Sequence, residues 1–231
     1  SSMKLKSLEI SRRTLLASAV LSITSSFPAS AANEDVKRGL SNNSEVALTF
    51  HGAGDDSINS SILKECVNAG VPITVFAVGT WLQNSPAIAK AFVNANFELG
   101  NHTLNHKSMR KLSAKEARLE IQGGADELKK LIGNNGIGFR PSGTQFSTNT
   151  IRTAASAVGY SRCISYDVDS MDYLDLPVAK ILKNIQNSVT SGSIVSLHLG
   201  HKNTLTALPQ IFSLLETRKL KPVPISKFLV S

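Results

Sequence analysis

The chain has 231 residues, 42% of them hydrophobic, with 25 Lys and Arg against 17 Asp and Glu, for a formal charge of +8. That suits one globular domain with an ample core. Repeat arrays are excluded, no basic run is interleaved with aromatics as a nucleic-acid footprint requires, and Cys66 and Cys163 are too few and too far apart for a disulfide framework or a CxxC metal clip.

Residues 1–31 read as an export signal. Lys4, Lys6, Arg12 and Arg13 make a basic start, and the apolar run TLLASAVLSITSSF that follows is too short to span a membrane comfortably. Ala29-Ser30-Ala31 is an A-x-A cleavage pattern, which leaves no stable membrane span after processing. Ser11-Arg12-Arg13-Thr14-Leu15-Leu16 also fits a twin-arginine signal, which exports folded proteins. The expected destination is extracytoplasmic, periplasmic or secreted. The chain starts at Ser1, so with a transit peptide ahead of it the same signal would address a thylakoid lumen. Residues 1–31 hold four of the basic residues and one acid, Glu9; the rest carries +5, a charge that anionic polymers such as cell wall would attract.

Residues 32–44 are polar and are expected to be flexible. From residue 45 to 231 strand-like and helix-like segments alternate. Glu45–Phe50 reads as a strand, 60–70 as a helix stopping at Gly70, and the β-branched run Pro72–Val78 as a buried strand. Ser85-Pro86 opens a helix to about Asn94. Phe97–Gly100 is the next strand. Ser113 and Glu116 form a capping box for a long helix closed near Gly133. Strands follow at 136–140, 161–168 and 193–197, helices at 147–159, 178–188 and 205–220, and a last short strand at Pro222–Ile225. Cys66 in a helix and Cys163 entering a strand read as buried apolar thiols. The fold class is α/β, an irregular (β/α) barrel of about seven units or an open doubly wound sheet.

In both architectures ligands collect at the carboxyl ends of the strands. The residues just beyond those ends are His51, Asp55 and Asp56; His102 and His106; Arg140; Asp167, Asp169 and Asp172; and His198 and His201. Every histidine of the chain is among them. His102-x-x-x-His106 would put two imidazoles on one side of a helical turn, right for one divalent ion. Asp55, after two glycines in His51-Gly52-Ala53-Gly54-Asp55, is the best third ligand. Three ligands with an open position is the pattern of a catalytic zinc, and His51 and His198 are available as base and acid. Asp56 reads as a helix N-terminal residue, Asp167 as structural and Asp172 as evenly balanced between a contact with Arg140 and solvent. His201 reads as surface in preference to facing substrate, and Trp81 as sugar platform or core in equal measure.

The ordered segments TFHGAGD, NHTLNH, FRPSG, DVDSMDY and SLHLGH resemble the polysaccharide deacetylases of carbohydrate esterase family 4, over roughly residues 45–228. The resemblance implies a distorted (β/α) barrel that removes acetyl groups from a glycan with a divalent metal, often zinc. It makes His102 and His106 metal ligands, Arg140 the arginine that orients the catalytic carboxylate, Asp169 the carboxylate that tunes the histidine acid, and His198 that acid. The first motif departs from the family's Thr-Phe-Asp-Asp-Gly. His51 stands at the base position, and Asp55 is the metal-binding acid displaced by a longer loop. His51 is then a base, a third nitrogen ligand, or inert. Tyr173 replaces the usual Trp of the fourth motif, and the third motif has Ser142 near the place of its tyrosine. Two other classes fit the same scaffold: a non-catalytic carbohydrate-binding relative, and an amidase acting on non-sugar C–N bonds.

Overall fold

A central strand buried on both faces organises the molecule. The computed structural model describes residues 35–40 and 42–229, so residues 1–31, read above as an export signal with a cleavage pattern, lie outside the described residues. Strand β1 (Glu45–Gly52) carries Val46, Ala47, Leu48 and Phe50, all fully buried, as expected of a parallel strand covered on both sides. Around it stand β2 (Thr74–Ala77), β3 (Glu98–Asn101), β4 (Val168–Asp169) and β5 (Ile194–His198), in the order β3-β2-β1-β5-β4 and all parallel. β6 (Lys221–Pro222) pairs with the start of β1.

Single parallel bridges continue the wall from Asn101 to Phe139, from Phe139 to Cys163 and from Ile164 to Val36. The result is an irregular (β/α) barrel whose regular strands form one side only. Helices α1 (Asp56–Ala69), α2 (Gly79–Asn84), α3 (Pro86–Asn94), α4 (Ala114–Ile132), α5 (Asn149–Val158), α6 (Val178–Ser188) and α7 (Lys202–Thr217) fill the crossovers. The main core packs Leu48, Phe50 and Val195 against Ile62, Phe92 and Ile211. A second, smaller core joins α4 to α5 through Ile121, Ala125, Ile151 and Phe139.

The local signals act as their chemistry demands. Ser113 and Glu116 form the reciprocal cap of α4, and Gly133 ends it in the left-handed region at φ 80°. Where the fold differs from expectation, glycine is the cause in one place. The strand expected at 136–140 is reduced to the bridge at Phe139, because Gly136 takes φ 76° and lies so close to β3 that a Cβ there would stand 2.7 Å from the Leu99 carbonyl oxygen. The strand expected at 161–168 becomes bridges at Cys163 and Ile164 and the two residues of β4. Within the polar 32–44 segment, Val36 is buried and Arg38 bridges Ser193.

Trp81 lies on α2, packed edge-on against Phe92 in the core, so it is no sugar platform. Both thiols are free and buried, and burial pushes Cys66 up to about 12 and Cys163 to about 11. Among the described residues no helix is long and apolar enough to cross a membrane.

Candidate active site

Parallel register brings the histidines together. His51 and His198 are direct partners across β1 and β5, and their rings stack at 4.1 Å with 6° between planes. His102 follows β3, and its ring meets His51 edge-on at 4.8 Å. His106 is 4.9 Å from His102, ring to ring, and His201 is 6.1 Å from His198. All five histidines of the chain line one cavity of about 360 Å³. A second cavity, of about 440 Å³, shares His51, His106, Tyr173 and His198 and adds Tyr166 and Asp169.

Hydrogen-bond partners fix the protons. His102 Nδ1 is 2.8 Å from the Arg140 carbonyl oxygen, which only accepts, so Nδ1 carries the hydrogen. Burial holds His102 well below the ordinary imidazole range, so the ring is neutral and Nε2 offers a lone pair. His51 Nδ1, 3.0 Å away, donates to it. His51 is also held low, first by burial and then by the neighbouring His198 and His102. Its Nε2 therefore accepts, from Ser196 Oγ at 2.9 Å, with Arg140 Nη1 at 3.5 Å. The two facing nitrogens need a proton or a cation between them.

Arg140 is fully buried. Nε donates to the Ile164 carbonyl at 3.1 Å and Nη2 to the Ser165 carbonyl at 3.0 Å. Its plane lies 4.3 Å from the Phe76 ring centre and 5.3 Å from that of Tyr166. Burial pulls it down to about 9, still a cation at neutral pH. Among the described residues no carboxylate pairs with it; the group it faces is the His51 imidazole.

His198 is gripped by Asp172, not by Asp169. Asp172 Oδ1 accepts from His198 Nδ1 at 2.8 Å, and Oδ2 accepts from the His198 backbone N–H at 2.8 Å and the Thr204 hydroxyl at 2.7 Å. Asp172 is fully buried. Asp169, the residue that the family resemblance assigned to this role, accepts from the Met171 N–H at 2.9 Å and faces the second cavity. The cause is local. Met171 takes the left-handed conformation (φ 56°), and the 3₁₀ turn that follows swings Asp172 inward.

Asp55 is not gathered into the cavity either. It is the N-cap of α1: its Oδ1 accepts from the backbone N–H groups of Ser57 and Ile58 at 2.9 and 3.0 Å, and the residue is exposed. Gly52, which follows the His51 base position, has no room for an acid, since a Cβ there would meet Val75 Cγ1 at 2.6 Å and Ala77 Cα at 3.1 Å. The donor chemistry nevertheless fits a divalent ion. His102 gives its Nδ1 hydrogen to a carbonyl, which fixes the ring and leaves Nε2 for an ion, and neutral imidazoles are the ligating form. As they lie, no three His, Cys, Asp or Glu side chains among the described residues enclose an ion; His51 and His102 approach within 3.0 Å as a pair.

The loops that carry these groups are braced. His102 to His106 is not the expected helical turn but a loop in which Thr103 (φ 68°) and His106 (φ 55°) are left-handed. Thr103 is β-branched, so this backbone is strained and must be held in place. Asn101 Oδ1 accepts from the Thr103 N–H at 2.8 Å, and buried Glu120 on α4 accepts from the backbone and side chain of Asn105 at 2.9 and 2.8 Å. Gly54 and Gly200 lock the His51 and His198 loops together, since a Cβ on either would come within 2.5–2.8 Å of the other's Cα. Sequence reasoning missed Ser196 and Glu120. Ser196 could have been found, because it lies two residues before His198 on the same face of β5. Glu120 had no signal beyond an acid on the helix face.

The depressed histidines predict an acid-labile fold. In the unfolded chain they take up protons as pH falls through about 6.5, whereas in the fold they stay neutral to lower pH. The unfolded state then binds more protons, so stability is fully present above that value and is lost as pH falls below it. Urea midpoints at pH 7.5 and 5.5, with chelator present, should drop for the native chain and drop less for His102→Gln.

A family model described as polysaccharide deacetylase matches residues 39–162, more than half of the chain. The chain belongs to the polysaccharide deacetylase family. It is 27% identical to a peptidoglycan-N-acetylglucosamine deacetylase of Bacillus cereus over 80% of this chain and 87% of that one. The crystal structure of a peptidoglycan N-acetylglucosamine deacetylase superposes with a TM-score of 0.78 at 26% identity, over 86% of this chain and 94% of that one. A carbohydrate esterase family 4 pseudoenzyme from Bacillus anthracis superposes with a TM-score of 0.79 at 26% identity, over 85% and 69% of the two chains, and a mutant of it with restored enzymatic activity has also been solved. Deacetylases of this family are hydrolases, and its carbohydrate esterases supply the barrel seen here. In this deacetylase relative the five histidines occupy the carboxyl end of that barrel.

Proposed function

We propose that this chain hydrolyses acetyl groups from an acetylated glycan outside the cytoplasm, with His198 as its proton-handling residue. The observation that carries the reading is that His198, held from behind by the buried Asp172, lines a cavity shared by every histidine of the chain. Asp172 fixes the Nδ1–H tautomer and offsets the positive charge of His198 while it holds a proton for the leaving amine or alcohol. Arg140 and Ser196 fix the His51 ring, and Tyr173 walls both cavities. The export signal read in residues 1–31 supports the location, and the mildly basic remainder suits an anionic wall polymer.

His102 and His106 would hold a divalent ion, with His51 Nδ1 as the third donor in place of a carboxylate. The His51 to His102 approach of 3.0 Å and the capping role of Asp55 support that choice. When bound, a zinc-type ion supplies a Lewis acid and acidifies water. Metal content separates the candidates. About one equivalent of zinc should remain in Asp55→Asn and be lost in His51→Ala and His102→Ala. Loss in Asp55→Asn with retention in His51→Ala would return the role to the displaced acid. Acetate release from acetylated chitooligosaccharides tests the activity itself.

A non-hydrolysing reading has one specific support, the pseudoenzyme among the similar structures. It is distinguished by glycan binding without acetate release.

A further inference from the structure

We infer that His201, paired with Asp175, is a substrate-recognition residue that accepts a hydrogen bond from a sugar hydroxyl at the rim of the cavity; this rests on the glycan reading above. Two pairs lie side by side with the same spacing. Asp172 holds His198, and three residues further along both segments Asp175 holds His201, each Nδ1 to Oδ1 at 2.8 Å. The two rings are 6.1 Å apart and nearly perpendicular, at 83°.

The second pair faces outward where the first faces inward. The His201 side chain is 27% exposed and lines the cavity, while that of Asp175 is 72% exposed. A carboxylate only accepts, so His201 Nδ1 carries the hydrogen, and in its neutral form the ring presents Nε2 as an acceptor. Among the described residues Nε2 has no protein partner. Its position is set from both sides. Gly200 (φ 81°) makes the turn that separates His201 from His198 and touches Gly54. Asp175 is itself left-handed (φ 52°), and Asn203 Nδ2 holds the same loop through the Leu176 carbonyl at 3.0 Å. An ordinary loop clip would need the pair but not the cavity position. A fixed acceptor at the edge of a cavity matches the hydroxyl-rich surface of a glycan, which a small acetylated amide lacks.

The test uses the fully N-acetylated form of chitotetraose, called chitotetraose below, as the probe. In the full chain, His201→Ala should raise KM for chitotetraose about five- to tenfold, the worth of one hydrogen bond, with kcat changed less than twofold. His201→Gln, which keeps an acceptor, should recover part of it, and Asp175→Asn should fall between. Calorimetric binding of chitotetraose to His198→Ala, with and without His201→Ala, gives the same comparison with no turnover. Unchanged binding in the double variant, or a fall confined to kcat, would overturn the inference. A chain that binds chitotetraose through His201 but releases no acetate would sink the deacetylase reading and uphold this one.

Discussion

Asp172→Ala should lower kcat/KM on an acetylated chitooligosaccharide by about 10³-fold, whereas Asp169→Ala should cost far less. Asp172 is fully buried and accepts three hydrogen bonds, from the ring and backbone of His198 and from Thr204. Its loss frees the ring to turn and leaves three donors without partners, at about 1–3 kcal/mol for a buried unsatisfied group. Stability should fall as well, so both urea unfolding and kinetics are read. Asp172→Asn keeps the shape and should keep most of the stability, yet it should lose most of the rate, because an amide cannot offset the charge on His198. Among the described residues the Asp169 carboxylate accepts a hydrogen bond from the Met171 N–H alone, and the residue is half-buried. A larger loss of rate in Asp169→Ala than in Asp172→Ala would reverse the assignment and restore the role that the family resemblance suggested.

The second large effect belongs to Arg140. It is among the largest fully buried side chains, holding two carbonyls with its fork and lying near two aromatic rings. Arg140→Lys should be the worse variant, at about 3 kcal/mol or more. It keeps a buried charge but has neither the planar fork for Ile164 and Ser165 nor the stacking plane. Arg140→Met removes the buried charge itself and should lose about 1–3 kcal/mol, since the two carbonyls are left unpaired while the desolvation cost disappears. Chemical denaturation of the two variants checks the order. A lysine variant more stable than the methionine variant would mean that charge, not fork geometry, holds this site together. The order is informative because among the described residues no carboxylate pairs with the guanidinium, which faces His51.

Much of this site was legible because a parallel β/α chain puts its chemistry at strand ends. His51, His102, His106, Arg140 and His198 each stand at or just beyond the end of an apolar run, and the structure brings them together around one end of the barrel. The helices with chemical punctuation were legible too: the Ser113–Glu116 box and Gly133 bound α4 within a residue. What the sequence did not show depends on competition between partners or on backbone hand. Asp55 could serve an ion or the open N–H groups of α1, and spacing alone does not decide between them; the cap takes it. Asp172 and Asp169 are three apart on an irregular segment. The left-handed Met171 selects the inward one, and a methionine at that position carries no such signal. His201 looked like a surface residue because the turn at Gly200, which returns it to the rim, is set by contact with Gly54 far away in sequence.

The most direct test of the account is acetate release from acetylated chitotetraose by the zinc-reconstituted chain, measured beside His198→Ala. The account predicts acetate from the native chain and a fall of about 10²–10⁴-fold in the variant, with chitotetraose still bound. No acetate from a native chain that is folded, loaded and bound to chitotetraose would contradict it and place this chain with the non-hydrolysing members of its family.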